Sequence, residues 1–292
     1  MRRTFLFLPG NSPKMLLNGA WLSSDSLIFD LEDAVPPDEK DAARILVRNA
    51  VSSVNYGKRE IVIRINSLET PYWQDDLETV LPLKPAMILL PKADGKQAVE
   101  TLDSRMSEIE DRLGNCRGTT KIGAQIETAV GVERAYEIGS ANDRITALFL
   151  GAEDLTADLR SARTKAGAEI AYARGRLVNA ARACDIEVYD TPFTDVNDLE
   201  GLEKDALFAR ELGFSGKLVI SPRHLDIVNT VFSPSREEIQ YAKDVFEAIK
   251  EGKKLGKGAV SLRGKMIDAP VVKRAERILQ MAADMGEEAS EI

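Results

Sequence analysis

The stretch Ile145-Thr-Ala-Leu-Phe-Leu-Gly-Ala-Glu-Asp154 runs apolar without alternation and then turns abruptly acidic. A strand buried on both faces of a parallel sheet needs such a run, because neither side of it meets water. Met87-Ile-Leu-Leu90, followed by Pro91-Lys92, has the same form. Outward from these two, short runs rich in apolar and β-branched residues recur at 5–8, 26–30, 60–65, 121–126, 187–189 and 217–220, with the first two covering 86–90 and 145–150. Helical patterns lie between them at 36–53, 95–113, 128–138, 168–183 and 198–212, and Ser12-Pro13 supplies an N-cap and a proline at the first helical position. Eight strands at intervals of roughly 22 to 39 residues, each with room for a crossover helix, predict a (β/α)8 (TIM) barrel over residues 1–232. A doubly wound sheet is the structural alternative. It lacks support, since no G-x-G-x-x-G follows a strand and no P-loop is present.

After the eighth strand, helices are predicted at 235–250 and 271–285. They flank Gly252-Lys-Lys-Leu-Gly-Lys-Gly-Ala-Val-Ser-Leu-Arg-Gly-Lys-Met-Ile-Asp-Ala-Pro270, a Gly/Lys-rich connection too long for a plain turn. Residues 233–292 therefore read as an appended C-terminal helical segment. Of the 292 residues, 44% are hydrophobic and 29% charged, ordinary for an enzyme. A net charge of −8 with no basic stripe argues against nucleic acid as a partner. No apolar stretch reaches membrane-span length, and residues 1–10 lack the length and cleavage site of a signal peptide, so a cytoplasmic location is expected. Cys116 and Cys184 match no zinc spacing and read as two reduced, structural thiols.

Chemistry in a parallel barrel sits where strands end and βα loops begin. Strand two ends in Asp30 and continues Leu31-Glu32-Asp33; strand three carries Arg64; strand four runs into Lys92. Strand five ends Gln125-Ile126-Glu127, and strand six leads into Gly151-Ala152-Glu153-Asp154. Each alone has a structural reading: acids at helix starts serve as caps, Arg64 could close a buried ion pair, and Lys92 could be a solvated loop residue. Burying five charged groups at consecutive strand ends without a ligand or metal would be costly, and that favours a site. Two carboxylates from adjacent strands suit a hard cation such as Mg²⁺, and an arginine beside them can hold a substrate carboxylate bidentately. His224, the only histidine, is expected to be a surface or capping residue, which leaves histidine-based catalysis without a base.

At these residues the sequence resembles the citrate lyase β-subunit family, within the larger HpcH/HpaI group that also holds malyl-CoA and citramalyl-CoA lyases. Arg3-Thr-Phe-Leu-Phe-Leu-Pro-Gly10 is similar to the family's opening, and Phe29-Asp-Leu-Glu-Asp-Ala-Val35 to its F-D-L-E-D-[AS]-V. Arg64-Ile-Asn66, Pro91-Lys92, Ile126-Glu127 and Gly151-Ala-Glu-Asp154 follow in family order, and Gly151–Arg174 looks most like citrate lyase. The resemblance implies a Mg²⁺-dependent retro-Claisen cleavage of a citryl thioester, on acyl carrier protein or CoA, to oxaloacetate and an acetyl thioester. It makes Glu127 and Asp154 the metal ligands and Arg64 the holder of the oxaloacetate carboxylate. Glu127, Gly151, Ala152 and Glu153 are implied to meet the substrate as well, with Lys92 supporting the carboxylate cluster among the catalytic groups. Asp30 and Glu32 stand behind this cluster, and the base is open between them and a metal-bound hydroxide. Asp268, in Lys265-Met-Ile-Asp-Ala-Pro270, matches an aspartate that crosses to a neighbouring subunit and exchanges a proton with the acetyl carbon. A homotrimer or hexamer, with citrate lyase α and γ (acyl-carrier) subunits as partners, follows from the same resemblance. Ser221-Pro222 stands where many CoA-using relatives have His-Pro, and Arg263-Gly264 where Asp-Gly or Asn-Gly is common, which leaves the acyl carrier open. Malyl- or citramalyl-CoA cleavage is the nearest alternative; a non-catalytic subunit that docks an acyl carrier is the alternative of another class.

Overall fold

The computed structural model describes residues 1–254 and 260–286. Eight parallel strands close on themselves in sequence order: β1 (Thr4–Pro9), β2 (Ser26–Asp30), β3 (Glu60–Arg64), β4 (Met87–Leu90), β5 (Lys121–Ile126), β6 (Ile145–Leu150), β7 (Glu187–Asp190) and β8 (Gly216–Val219), which pairs back to β1. Between them run α1 (Pro13–Asn18), α2 (Lys40–Ser53), α3 (Trp73–Val80), α4 (Lys96–Arg112), α5 (Ala129–Glu133), α6 (Ala135–Gly139), α7 (Ala152–Asp158), α8 (Ala171–Ala183) and α9 (Leu199–Leu212), with α10 (Leu225–Phe232) after β8. The (β/α)8 barrel expected from the strand count is thus the observed architecture, with strand limits moved by one residue or less. The helix expected over 128–138 is two short helices, because Arg134 leaves the helical region at φ −95°, ψ 13°.

Inside the barrel, alternate residues of the strands pack against one another. Phe5, Phe149 and Tyr189 meet with ring centroids 4.4–5.0 Å apart, among Ile28, Val62, Met87, Leu89 and Leu218. The residues one position on face the helices, and there the sequence supplies charge. Asp190 on β7 and Lys217 on β8 are adjacent in register, and both are fully buried with Arg174 of α8 and Asp205 of α9. Arg174 donates to Asp190 through Nε and Nη2 at 2.9 and 2.8 Å and to Asp205 at 2.7 Å, while Lys217 Nζ bridges both aspartates at 2.5 and 2.6 Å. Two cations and two anions cancel, so each charge finds a partner out of water. This quartet ties the carboxyl end of β7 to α8 and α9.

His224 is a correction. It is 1% exposed and lies edge-on to Phe193 at 6.5 Å, since the turn Pro222–His224 that leads into α10 directs this side chain inward. Burial pushes its pKa down. Cys116 is exposed and Cys184 half-buried, and both are free, so Cys116 has no packing role.

A second compact unit comprises Thr230–Ile292 with Met1; the first is Arg2–Asn229. In it α11 (Arg236–Lys254) packs on α12 (Ala269–Asp284) through Ile239, Ala242, Val245, Ala275, Leu279 and Ala282. Residues 255–259 of the expected Gly/Lys-rich connection lie outside the described residues. Beyond residue 260 the connection forms a hairpin of two-residue strands, β9 (Ser261–Leu262) with β10 (Lys265–Met266). Its turn residues Arg263 and Gly264 both take positive φ, and Arg263 is braced by Asp244 at 2.7 Å and by the Tyr241 ring.

Candidate active site

A cavity of about 390 Å³ opens at the carboxyl ends of the strands, with Asp30, Arg64, Gln125, Glu127, Asp154 and Thr191 in its wall. Gly151, Ala152 and Glu153 line it too. Of the strand-end residues expected from the sequence, all but Glu32 and Lys92 line this one cavity. Lys92 lines a second cavity, of about 580 Å³, and reaches the first only through its contacts. Asp268 lies in the C-terminal unit, exposed, at the N-cap of α12, where its Oδ1 accepts from the Val271 N–H at 3.1 Å.

Arg64, the last residue of β3, points its guanidinium across to the end of β2. Its Nε and Nη2 donate to the two oxygens of Asp30, each at 2.7 Å, in a bidentate pair. Its Nη1 faces Glu32 at 3.2 Å and Asp33 at 3.6 Å. Asp30 also accepts from the Glu32 and Ala34 N–H groups at 2.9 and 3.1 Å, which curls the chain beyond β2 around its carboxylate. Buried Lys40 closes that curl from α2 by donating to the carbonyls of Leu31 and Glu32 at 2.9 and 2.7 Å. Burial raises the Asp30 carboxyl, but Arg64 and the two N–H groups outweigh it and hold Asp30 below the usual carboxylate range. Behind Arg64, Asp76 of α3 takes both the N–H and the Nδ2 of Asn66, fixing the loop after β3.

Glu127 is 2% exposed and held at both oxygens. Its Oε1 accepts from the Lys92 N–H at 2.7 Å, and its Oε2 from the amide of Gln125 on the same strand. Lys92 itself adopts φ +52°, the left-handed region that an L-residue enters at a cost of about 1–2 kcal/mol. Its Nζ meanwhile pairs with Glu32 at 3.3 Å. Glu127 is not a helix cap, since Thr128 does that work for α5 by accepting from the Gly131 N–H. Burial pushes the Glu127 carboxyl up to about 8, and Glu32 and Asp154 add to the rise against the opposing pull of Arg64. Glu32 is also raised, chiefly by burial, which with the nearby Asp33 and Asp30 outweighs the pull of Arg64 and Lys92.

The mouth thus holds more carboxylates than cations, and of its buried anions Glu32 and Glu127 are destabilised while Asp30 is not. Among the described residues no three or more carboxylate, histidine or cysteine side chains converge into a metal cage. Glu127 and Asp154 offer only hard carboxylate oxygens, a donor type that suits a magnesium-sized ion better than zinc. The Gly151 N–H donates to the Ile126 carbonyl at 3.0 Å and the Ala152 N–H to Thr191 Oγ1 at 3.1 Å. Gln125 and Thr191 join the site without having been expected there. The sequence presents Gln125 only as part of β5, and Thr191 lies after a strand that ends in no expected site residue.

No helix among the described residues is long and apolar enough to cross a membrane. Residues 3–222 match the profile of HpcH/HpaI aldolase/citrate lyase. The citrate lyase subunit beta of Leuconostoc mesenteroides subsp. cremoris is 42% identical over 282 residues, covering 97% of this chain and 93% of that protein. The mitochondrial citramalyl-CoA lyase of Homo sapiens is 30% identical over 297 residues, covering 98% and 87%. A citrate lyase beta subunit from M. tuberculosis, solved with oxaloacetate and magnesium, superposes with a TM-score of 0.68 at 30% identity over 80% of this chain and 97% of that one. By profile, by near end-to-end identity and by barrel, the chain belongs to the HpcH/HpaI aldolase/citrate lyase family.

Proposed function

We propose that this protein is a Mg²⁺-dependent carbon–carbon lyase that cleaves a citryl thioester, borne on an acyl carrier protein or CoA, to oxaloacetate and an acetyl thioester. The observation that carries the reading is Glu127: a buried carboxylate held at both oxygens by two donors in the cavity wall, its acid strength suppressed by burial and by Glu32. Glu127 and Asp154 would hold the metal. When bound, Mg²⁺ supplies Lewis acidity toward the hydroxyl and carboxylate oxygens of the substrate. Arg64, immobilised by Asp30, offers its remaining N–H groups to a substrate carboxylate and so sets the angle of the breaking bond.

Cleavage requires the tertiary hydroxyl proton to leave, the C–C bond to break toward the thioester, and the acetyl carbon to gain a proton. Asp30 is a poor base, because its oxygens already accept four hydrogen bonds. Glu32 is the better one: its Oε2 stands 3.2 Å from Arg64 Nη1 without completing a hydrogen bond. Asp268 of a neighbouring subunit would deliver the proton to the acetyl carbon. Its capping bond uses one oxygen and leaves the other for that task. A cytoplasmic homotrimer or hexamer, partnered by citrate lyase α and acyl-carrier γ subunits, completes the proposal.

Purified protein should release oxaloacetate from citryl thioesters faster than it cleaves malyl or citramalyl thioesters, each offered on CoA and on carrier protein. EDTA should stop turnover and Mg²⁺ or Mn²⁺ restore it. Preference for malyl- or citramalyl-CoA would reassign the substrate. Full turnover without metal would end the reading.

A further inference from the structure

Thr191 follows β7 directly and is fully buried, yet it stands in the wall of the active-site cavity. A threonine hydroxyl carries one proton and two lone pairs. One lone pair is used, since Oγ1 accepts the Ala152 N–H at 3.1 Å. The proton is not: among the described residues the Thr191 hydroxyl donates to no protein acceptor. A buried hydroxyl with an uncommitted proton, on a residue of a cavity wall, is a donor waiting for an acceptor.

We propose that Thr191 contacts the substrate and donates a hydrogen bond to an acceptor oxygen, carboxylate or ketone, of the keto-acid half. The inference rests on the function proposed above. Gly151 and Ala152 belong to the turn after β6 that the family resemblance counts as substrate-binding, but their N–H groups are already engaged within the protein. Thr191 passes the Ala152 donor one bond further into the cavity. In the chain Ala152 N–H to Thr191 O–H to ligand oxygen, the first bond polarises the hydroxyl and strengthens the second. The geometry is rigid on every side. Thr191 is β-branched with few rotamers, Pro192 restricts the chain after it, and Asp190 before it is clamped by Arg174 and Lys217. A donor so fixed selects an acceptor-only group over a second donor, which makes Thr191 a determinant of ligand specificity.

The test compares Thr191→Val, which keeps the shape and loses the hydroxyl, with Thr191→Ser, which keeps the hydroxyl. Mn²⁺ binding is measured alone, followed by oxaloacetate binding in saturating Mn²⁺. The wild-type protein must bind both; if it binds neither, the proposed function fails and not merely this inference. Thr191→Val should weaken oxaloacetate at least ~10-fold while Mn²⁺ affinity changes less than ~3-fold, and Thr191→Ser should restore oxaloacetate to within ~3-fold of wild type. Oxaloacetate binding within ~2-fold of wild type in the Val variant overturns the inference. So does an equal loss of Mn²⁺ and oxaloacetate that Ser does not rescue, since the hydroxyl would then only hold α7 in place. If the Val variant does not fold, Thr191→Cys, close in shape and a weak donor, is judged by the same oxaloacetate criterion.

Discussion

Gly151→Ala tests the site through one methyl group. At φ −102°, ψ 92° the backbone accepts any L-residue, so the substitution adds volume without backbone strain. A Cβ there would lie 2.5 Å from Glu127 Oε2, 2.8 Å from Glu127 Cβ and 3.0 Å from Gln125 Nε2. Ordinary contact begins near 3.4 Å, so the carboxylate must retreat by about 0.9 Å (3.4 less 2.5). It cannot do so by turning its tip, because Glu127 Cβ is crowded as well and the Lys92 N–H and the Gln125 amide hold the two oxygens. Overpacking of this kind costs about 1–3 kcal/mol of stability. Displacing a ligand from its supporting hydrogen bonds costs about 10–100-fold in metal affinity. Mn²⁺ titration followed by electron paramagnetic resonance, with a thermal melt alongside, reads both effects. Gly175→Ala on α8, where a Cβ meets nothing within 4 Å, is the control and should gain about 0.5–1 kcal/mol. Wild-type Mn²⁺ affinity in Gly151→Ala would refute the placement of Glu127 as a ligand pressed against the turn that carries Asp154.

Asp268→Asn should leave Mn²⁺ and oxaloacetate binding intact and lower turnover by ~10²–10⁴-fold; mixed oligomers with Asp154→Asn subunits should regain part of the activity, and verified mixtures that regain none would remove the aspartate from a neighbour's site. Lys217→Met breaks the buried quartet, leaving Asp190 and Asp205 with Arg174 alone, and should cost about 3–5 kcal/mol in urea unfolding; a loss below 1 kcal/mol would show that the quartet contributes little. The Glu110 carboxyl is raised by burial but pulled below its ordinary value of 4.5 by Arg144 and the Gly118 and Thr120 N–H groups. Its contribution is therefore complete above pH 4.5 and lost as pH falls toward its folded value. The stability gap between wild type and Glu110→Gln should shrink between pH 7 and pH 4, and a gap that holds or widens would contradict this sign.

The barrel was legible because its strands are apolar runs that no other element accommodates, and Met87–Leu90 and Ile145–Leu150 show it directly. The charged mouth was legible for the same reason: polarity resumes abruptly where each strand ends, at Asp30, Lys92, Glu127 and Asp154. The features that escaped depend on partners distant in sequence. Asp190 just beyond the run 187–189 and Lys217 within the run 217–220 carry no local signal of burial, and only the fold shows each fully buried against Arg174 and Asp205. His224 lacks a local signal of burial, since Phe193 reaches it from another loop. The helix Ala152–Asp158 is too short for its periodicity to register. The hairpin of residues 261–266 hides in a Gly/Lys-rich stretch because its turn places arginine where Asn-Gly is the usual signal.

The bidentate clamp of Asp30 on Arg64 bears on how ligand binding divides between heat and disorder. A free arginine carries about 2 kcal/mol of rotamer entropy, ordinarily lost when a carboxylate arrives. Here that freedom is gone once the chain folds, for Nε and Nη2 are already engaged at 2.7 Å and the Phe7 ring lies 4.8 Å beneath the guanidinium. The arriving carboxylate meets a surface that has nothing left to freeze. Asp30 touches no ligand in this scheme, yet releasing its grip would return that entropy to the free state. The change would surface in calorimetry as an unfavourable shift in the entropy of oxaloacetate binding, with the number of charged contacts to the ligand unchanged.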